Sequence, residues 1–388
     1  MATLKIKKGL NKGMFLARNV LDPDTIKREP TRNGYGEGSV EAGKRNKNIV
    51  MLCCDLTDST RSVVFKQAFP DRYIQMGVSE QSMASIASGL ALAGKIPFIS
   101  SYASFSPGRN WEQLRTSAAL QGANIKIAGA HAGVSVGPDG ATHQMTEDIA
   151  LMRVLPNMDL VVPCDSIETK KATIAIAQRN NPGYIRFARE KTPVFTTEKT
   201  PFKLGRAETY RFGEDVTIFG AGPILYEALI AADVLSQEYG IEVRVINLHT
   251  LKPLDVKTIV TAAKETGAIV TCEEAQVIGG LGGAVCETLA MTVPVPVERI
   301  GMQECFGTSG NSEIVFDAMG LTAPFIAMAV IRALNRKYGE KVPVIPEYIT
   351  AAEEKFALLK KEINDEALSR TPKKWGGKKE DKTLKSRQ

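Results

Sequence analysis

Short apolar segments alternate with amphipathic segments along this chain, and this alternation constrains the fold more than any other feature. In the first stretch the apolar segments predict strands at 48–54, 96–101, 125–131, 160–164 and 183–188. The amphipathic segments between them predict helices near 82–94, 109–121, 146–154 and 166–179. Strands that alternate with helices in this way favour a doubly wound α/β domain with a parallel sheet.

A second alternating set predicts a smaller α/β domain. Its predicted strands are 215–222, 243–250 and 268–274, and its predicted helices lie near 223–239, 255–266 and 279–291. The Pro- and Thr-rich segment 191–201 between the two sets is predicted to be a linker. The expected organisation is an N-terminal extension (1–24), a first domain (25–195), a second domain (196–345), and a C-terminal helix with a basic tail (346–388).

Charge and composition exclude several classes of function. The chain has 49 Lys and Arg against 43 Asp and Glu, and residues 370–388 alone hold eight of the basic and two of the acidic residues. The remainder is therefore neutral, and we interpret the tail as a solvated extension rather than a nucleic-acid-binding site. No apolar run reaches about 18 residues, which argues against a membrane span. Six cysteines without metal-ligand spacing and without a preceding signal peptide predict reduced thiols and a cytoplasmic location.

A carboxylate stands at the head of a segment of small and apolar residues, GVSEQSMASIASGLALAG (77–94). The apolar residues that recur at helical spacing are Met83, Ile86, Ala87, Leu90 and Ala91. We therefore predict a buried helix that packs against another helix or subunit, with Glu80 at its N-terminus. Two readings of Glu80 stay open: an acidic residue favoured by the helix dipole, or a carboxylate that hydrogen-bonds a cofactor nitrogen.

The loop HAGVSVGPDGATH (131–143) follows a predicted strand and holds two of the three histidines of the chain. Ligands of open parallel sheets bind beyond the carboxyl ends of the strands, so this loop is placed for chemistry. A metal site at His131, Asp139 and His143 is disfavoured because their spacing matches no compact motif. A structural loop remains possible on the residues alone. A set that moves protons or grips a hydroxylated, phosphorylated molecule fits better, because neutral His donates or accepts near pH 7.

Four segments together carry a family resemblance: GVSEQSM, HAGVSVGPDGATHQ, LPNMDLVVP and INLHTLKPLD. In their order and spacing they resemble the pyrimidine-binding and C-terminal domains of transketolase, a thiamine diphosphate enzyme, over roughly residues 34–341. The Gly-Asp-Gly motif that holds the diphosphate and its metal in that family is absent from the 388 residues. The chain therefore resembles the C-terminal subunit of a split transketolase. This resemblance implies a chain that is inactive alone, self-associates as a dimer and is expected in a heterotetramer with an N-terminal subunit. That subunit would hold most contacts to the diphosphate and to Mg²⁺ or Ca²⁺.

The resemblance assigns cofactor contacts to four residues. Glu80 matches the carboxylate that hydrogen-bonds N1′ of the aminopyrimidine and favours its imino tautomer. Tyr102 and Phe105, in SYASFSPGRNW, match the aromatic pocket around the pyrimidine. In full-length transketolases a further aromatic residue follows, where this chain has Gly108 or Arg109. Asp55, in CCDLTDST, matches an Asp that contacts the cofactor.

The resemblance also implies contacts to substrate. Ser59 matches a residue that reaches the substrate phosphate, as does Arg189 in YIRFARE, and Arg32 is the candidate for a second phosphate-binding Arg. His131 matches a contact near the phosphate end of the sugar, and Asp139 a contact that selects the configuration of the ketose C2 hydroxyl. His143 matches a His that assists proton transfer during donor cleavage. The planar fork of Arg suits phosphate oxygens.

The function implied by the resemblance is transfer of a two-carbon ketol unit from a ketose phosphate, such as xylulose 5-phosphate, to an aldose phosphate in the pentose phosphate pathway. Two enzyme alternatives share the fold and the Glu: 1-deoxyxylulose-5-phosphate synthase and the β subunit of a 2-oxo acid dehydrogenase. The 131–143 loop favours transketolase because polyhydroxylated substrates need such contacts. An alternative of another class is a non-catalytic regulatory or scaffold subunit that has kept the fold.

Overall fold

The computed structural model describes residues 8–339, which form two units built on parallel-dominated sheets with helices packed on them. The predicted α/β fold class is thereby confirmed. The helix predicted within EYITAAEEKFALLKKEINDEAL and the basic tail that follows it lie outside the described residues.

The strands in chain order are β1 (Gly9–Leu10), β2 (Arg28–Pro30), β3 (Ile49–Cys53), β4 (Tyr73–Gln75), β5 (Ile96–Tyr102), β6 (Lys126–Ala130), β7 (Asp159–Val161), β8 (Gly183–Phe187), β9 (Lys191–Pro193), β10 (Glu208–Phe212), β11 (Val216–Ala221), β12 (Val243–Asn247), β13 (Thr250–Lys252), β14 (Ile269–Gln276) and β15 (Val297–Met302).

The helices are α1 (Thr31–Arg45), α2 (Ser62–Ala68), α3 (Glu80–Leu92), α4 (Trp111–Gln113), α5 (Asp148–Arg153), α6 (Ser166–Ala177), α7 (Leu225–Tyr239), α8 (Val256–Thr266), α9 (Leu281–Ala290), α10 (Ser312–Ala318) and α11 (Ala323–Tyr338). A π-helical stretch, Leu114–Ala119, continues α4, so the helix predicted at 109–121 is present but irregular. Short 3₁₀ turns cover Lys12–Met14, Pro70–Arg72 and Val134–Asp139.

The first sheet has seven strands in the order β13-β7-β8-β6-β5-β3-β4. All are parallel except β13, which belongs in sequence to the second unit and pairs antiparallel with β7. A backbone hydrogen bond continues this junction: the Val162 N–H donates to the His249 carbonyl at 2.7 Å. The two units are therefore joined through a shared sheet edge.

The second sheet has six strands in the order β1-β10-β12-β11-β14-β15. Four neighbouring strands are parallel: β12, β11, β14 and β15. At one edge, β10 pairs antiparallel with β12, and β1 pairs antiparallel with β10. Because β1 lies in the predicted N-terminal extension, part of that extension is a strand of the second unit.

The segment 191–201 is not a free linker, which corrects the sequence-based prediction. Its first residues form β9, which pairs with β2, and the Asp165 carboxylate accepts the N–H groups of Phe195 and Thr196 at 3.0 and 2.6 Å. Phe195 is fully buried. The segment is therefore an ordered connection between the units, because its hydrogen-bonding partners are residues distant in sequence.

One apolar cluster extends across both units. It joins Leu160 of the first sheet and Val162, just after β7, to Phe219 of the second sheet and Leu248, just after β12. The segment Ser312–Tyr338 is long and apolar enough, by length and composition, to cross a membrane. It consists of two helices separated at Gly320, and most of its apolar window is buried against the second sheet and α7, which is the setting of a core helix.

The helix predicted behind Glu80 is α3, which begins at Glu80 itself. Gly77 adopts a φ of 67° and Ser79 has non-helical backbone angles, so the chain turns sharply before the helix starts. Met83 and Ala87 are buried as expected, but the side of α3 that carries Ile86 faces outward, with Ile86 46% exposed. This exposed side is the face that α3 offers to the second helix or subunit predicted to pack on it, which stays a prediction.

Candidate functional site

Most of the predicted site residues follow strands of the first sheet at its carboxyl edge. Tyr102 ends β5, His131 follows β6, and Arg189 lies two residues beyond β8. Because β5, β6 and β8 are parallel neighbours, their carboxyl ends meet at one edge of the sheet. The alternation of strands and helices therefore brings together residues that are far apart in sequence.

Glu80 is buried at this edge, with an exposed fraction of 2%. Ser101, on β5, donates its hydroxyl proton to Oε1 at 2.9 Å. The second oxygen, Oε2, is buried and accepts no hydrogen bond, although the Arg109 guanidinium lies 3.7 Å away. Asn110 donates to the Glu80 backbone carbonyl at 3.1 Å and so fixes the start of the helix. The carboxylate is thus held from one side and leaves one oxygen available to a ligand.

Two aromatic rings lie next to this edge. Tyr102 and Phe105 are arranged nearly parallel, with ring centroids 6.1 Å apart and an interplanar angle of 15°. His143 meets the Phe105 ring edge-on at 5.5 Å, and His131 meets the Tyr102 ring edge-on at 4.1 Å. The two predicted aromatic residues and both loop histidines therefore form one cluster, whose flat faces suit a planar ring.

His131 is almost completely buried and adopts a φ of 53° just after β6. Burial, together with the charges of Arg32 and Arg189 and the nearby His143, lowers the pKa of His131 to about 3, so the ring is neutral near pH 7. Arg32 Nη1 lies 3.4 Å from His131 Nε2. A guanidinium can only donate, so Nε2 accepts and the proton resides on Nδ1. That Nδ1 is buried without a partner, which leaves one hydrogen-bond donor available.

Arg32 connects His131 to the segment after β3. Its Nη1 donates to the Ser59 backbone carbonyl at 2.9 Å, while its Nε is buried without a partner. Burial and then the neighbouring Arg61 and Arg189 lower the pKa of Arg32 from its usual range. Arg32 and Arg189 therefore lie close enough for their charges to interact, and an anion between them would relieve that repulsion.

Arg189 pairs with Asp139, whose Oδ1 accepts from Nη1 at 2.8 Å. Both side chains are partly exposed. This pair links the loop 131–143 to the end of β8. By the family resemblance, Arg189 contacts the substrate phosphate and Asp139 contacts the C2 hydroxyl, and the two side chains are direct neighbours here.

Asp55 stands apart from the aromatic cluster. It is exposed, has a φ of 57°, and its backbone N–H donates to Gln75 Oε1 at 3.0 Å. Within residues 8–339, its carboxylate makes no hydrogen bond or ion pair. Asp55 is therefore placed at the open rim of the carboxyl edge rather than among the buried groups.

Sequence reasoning missed three residues that shape this site. Ser101 orients Glu80, and the only local signal was a pair of serines at the end of an apolar strand. Arg109, noted only as a missing aromatic residue, places its guanidinium 5.2 Å from the Phe105 ring centroid and also pairs with Glu80. Gln144 donates from Nε2 to three carbonyls, those of Val134, Gly137 and Thr308, and nothing in the sequence signalled that role.

No group of three His, Cys, Asp or Glu side chains gathers at metal-binding distance in the part of the chain that the structure describes. The chemically available groups at the carboxyl edge are an acceptor on Glu80, donors on His131 and Arg32, and two aromatic faces. Such a set can hold a flat, nitrogen-containing ring and an anionic, hydroxylated molecule next to it.

Two family models match this chain: the transketolase pyrimidine-binding domain over residues 28–194 and the transketolase C-terminal domain over residues 205–326. A putative transketolase C-terminal section from Methanocaldococcus jannaschii is 40% identical, over 79% of this chain and 96% of that protein. The 6-deoxy-6-sulfo-D-fructose transketolase subunit SqwH of a Clostridium species is 38% identical, over 79% of this chain and 95% of that subunit.

A solved structure titled as a split gene transketolase, inactive beta4 tetramer, is also similar. It shares 42% sequence identity and a TM-score of 0.75, and the match covers 79% of this chain and 99% of that chain.

Proposed function

This chain belongs to the transketolase family, among the split C-terminal subunits, and we propose that it transfers a two-carbon ketol unit between sugars once an N-terminal subunit completes its site. The observation that carries the proposal is Glu80, a carboxylate buried to 2% exposure with one unpartnered oxygen beside two aromatic rings. A buried carboxylate without a partner is costly, so its retention is explained by a ligand that donates to it.

The residues fit thiamine diphosphate, the cofactor of the family. Glu80 Oε2 would accept the N1′–H of the pyrimidine in its imino tautomer, and Tyr102 and Phe105 would pack on that ring. When bound, the cofactor supplies an electron sink for cleavage of the ketose carbon–carbon bond. Asp55, at the open rim, is the candidate for an outer contact. No Gly-Asp-Gly motif is present, so we assign the diphosphate and its Mg²⁺ or Ca²⁺ to the partner subunit.

The other groups act on the substrate. Neutral His131 donates from Nδ1 to a substrate oxygen, and the pKa of about 3 keeps it neutral throughout the physiological range. His143 lies against the Phe105 ring and is the candidate for moving a proton to or from a substrate hydroxyl. Arg32, Arg189 and the Ser59 segment form the anion-binding end. Asp139, held by Arg189, faces the sugar hydroxyls.

Dependence on a partner is part of the proposal. The similar solved structure is titled an inactive tetramer of beta subunits, which supports the idea that such a chain assembles without being active alone. We therefore expect this chain to form homo-oligomers by itself and a hetero-oligomer with a chain that carries the Gly-Asp-Gly motif.

The terminal anionic group of the donor is a separate question, because a similar subunit is named for a sulfonated ketose. Two arginines and a neutral His donor suit a phosphate or a sulfonate at the end of the chain. We propose a phosphorylated ketose, with xylulose 5-phosphate as the reference donor and ribose 5-phosphate as acceptor. The sulfonated ketose named for that relative is the second donor to assay.

The experiment is reconstitution of the complex with thiamine diphosphate and Mg²⁺, starting from a pull-down that recovers the Gly-Asp-Gly chain. Ketol transfer that requires both chains and the cofactor supports the proposal. Turnover of pyruvate instead of a ketose phosphate would favour a synthase or a dehydrogenase subunit. Equal transfer by the partner alone, without this chain, would favour the scaffold alternative and contradict the proposal.

A further inference from the structure

A cavity of about 650 Å³ lies between the two units, apart from Glu80 and the aromatic cluster. Its lining comes from both units and includes Arg28, Ser135, Tyr226, Glu227, Glu274 and Phe316. Cavities of a few hundred Å³ or more are of the size that holds small organic ligands. It shares no lining residue with the predicted site, although Glu190, the neighbour of Arg189, borders it.

Two polar groups of the lining are buried without a hydrogen-bond partner. The Tyr226 hydroxyl is one of them, on a side chain that is 2% exposed, and the Ser135 hydroxyl is the other. Buried hydroxyl groups in native structures nearly always have a partner, and each that lacks one costs free energy. Two such groups on the wall of one cavity are available to a ligand with hydrogen-bonding atoms.

Two carboxylates of the lining are only half used. Glu274 accepts the Ser135 N–H at 2.6 Å, and Glu227 accepts the Ala323 N–H at 2.9 Å. Each of these bonds occupies one oxygen, and the second oxygen accepts no hydrogen bond from the residues that the structure describes. Burial raises the pKa of both carboxyl groups above their usual range.

The charged residues of the lining are unequal in number, with two basic residues, Arg28 and Lys191, against four acidic ones, Glu190, Glu227, Glu274 and Glu313. Glu313 pairs with Arg28 at 3.5 Å and Glu190 with Arg189 at 3.4 Å. Glu227 and Glu274 form no ion pair in the described part of the chain, where Arg28 and Arg186 act on them only at longer range. A buried carboxylate, Glu274, and a half-buried one, Glu227, without ion-pair partners favour a cationic ligand, and the rings of Tyr226 and Phe316 suit a cation as well.

We propose that this cavity is a binding site for a small organic cation that carries one or more ammonium groups. The ammonium donates to the free oxygens of Glu227 and Glu274, and the Tyr226 and Ser135 hydroxyl groups complete its hydrogen bonds. Recognition rests on charge, so a neutral molecule of the same length does not replace the cation. The proposal does not rest on ketol transfer, because it uses none of the side chains assigned to that reaction, although Ser135 and Glu274 also support the loop 131–143.

The test is isothermal titration calorimetry of the full-length chain with 1,4-diaminobutane, with 1,4-butanediol as the neutral probe of the same carbon length. We expect saturable binding of the diamine at one site per chain and no saturable binding of the diol. Absence of diamine binding, or equal affinity for the diol, would overturn the proposal.

Substitutions locate the site. Glu227→Gln and Glu274→Gln keep a carbonyl oxygen for the backbone N–H but remove the charge, and we expect each to weaken diamine binding at least about tenfold. Tyr226→Phe should weaken it a few-fold, since it removes one neutral hydrogen bond. Glu238→Gln, an exposed carboxylate at the far end of α7, is the matched control. An equal loss in Glu238→Gln, or no loss in Glu227→Gln and Tyr226→Phe, would contradict the assignment. Circular dichroism checks that each variant is folded.

Discussion

Replacement of Glu80 by Gln separates the functional cost of this residue from its structural cost. The variant keeps an oxygen to accept the Ser101 hydroxyl, which lies 2.9 Å from Oε1, but it removes the charge and the acceptor at Oε2. In the proposed reaction that acceptor is the contact to the cofactor ring. Positioned acid–base groups contribute about 10²–10⁴-fold to turnover, and we expect a loss of kcat in this range.

The free energy of unfolding of Glu80→Gln, in contrast to its kcat, should rise or stay unchanged. Oε2 is buried and accepts no hydrogen bond, and its ion pair with Arg109 is long at 3.7 Å, with the Arg side chain 53% exposed. Such a half-exposed pair contributes at most about 1 kcal/mol. A buried carboxylate that lacks a hydrogen bond costs more than a neutral amide in the same place. The free energy of unfolding of Glu80→Gln should therefore equal that of the wild type or exceed it by up to about 2 kcal/mol.

Two measurements check this reasoning. Ketol transfer by the reconstituted complex gives kcat, and urea unfolding of the chain without partner or cofactor gives the free energy of unfolding. Glu112→Gln, which changes an exposed carboxylate near α3, is the control and should leave both quantities unchanged. The reasoning is refuted if Glu80→Gln keeps turnover within threefold of wild type, or if its loss of turnover is matched by a loss of stability.

Three further predictions follow from the same contacts. Arg189→Lys should raise KM for a phosphorylated ketose about tenfold with little change in kcat, because Lys cannot hold Asp139 and an anion with one planar fork; an unchanged KM in steady-state kinetics would contradict this. Burial lowers the pKa of His249 to about 3, below its unfolded value of about 6.5, so its contribution to stability is complete above pH 6.5 and is lost as pH falls toward 3; in urea unfolding, His249→Asn should remove about 1.4 kcal/mol per pH unit of slope between pH 6 and 4. Gln144→Leu should lower the free energy of unfolding by about 1–3 kcal/mol and also lower kcat/KM, because three carbonyls lose their donor; a variant as stable and active as wild type would exclude the positioning role.

The strand pattern was predictable because it depends on local composition. Each strand predicted in the first stretch is present in the sheet, and α3 begins at the residue where a charge meets a small, apolar segment. The placement of Tyr102, His131 and Arg189 at one edge also follows from the pattern, because parallel neighbouring strands end together.

The errors share a physical cause, which is dependence on partners remote in sequence. The segment 191–201 has the composition of a linker, yet β9 is fixed by β2, and Phe195 and Thr196 are fixed by Asp165. Ser101 and Arg109 reach Glu80 only because β5 and the turn after it pass the start of α3.

The second unit contributes no residue to the aromatic cluster, yet it determines the shape of the loop that carries the histidines. Glu274 accepts the Ser135 N–H at 2.6 Å, and Gln144 bridges that loop to the Thr308 carbonyl at 2.9 Å. Gly137, with a φ of 68°, packs so closely on Ser312 that an added Cβ would lie 2.4 Å from its hydroxyl oxygen. Contacts of this kind tolerate little separation, so movement of the second unit would displace the loop between His131 and His143. Keeping both units in one chain therefore preserves the substrate side of the site, even though the groups proposed to hold the diphosphate reside on another polypeptide.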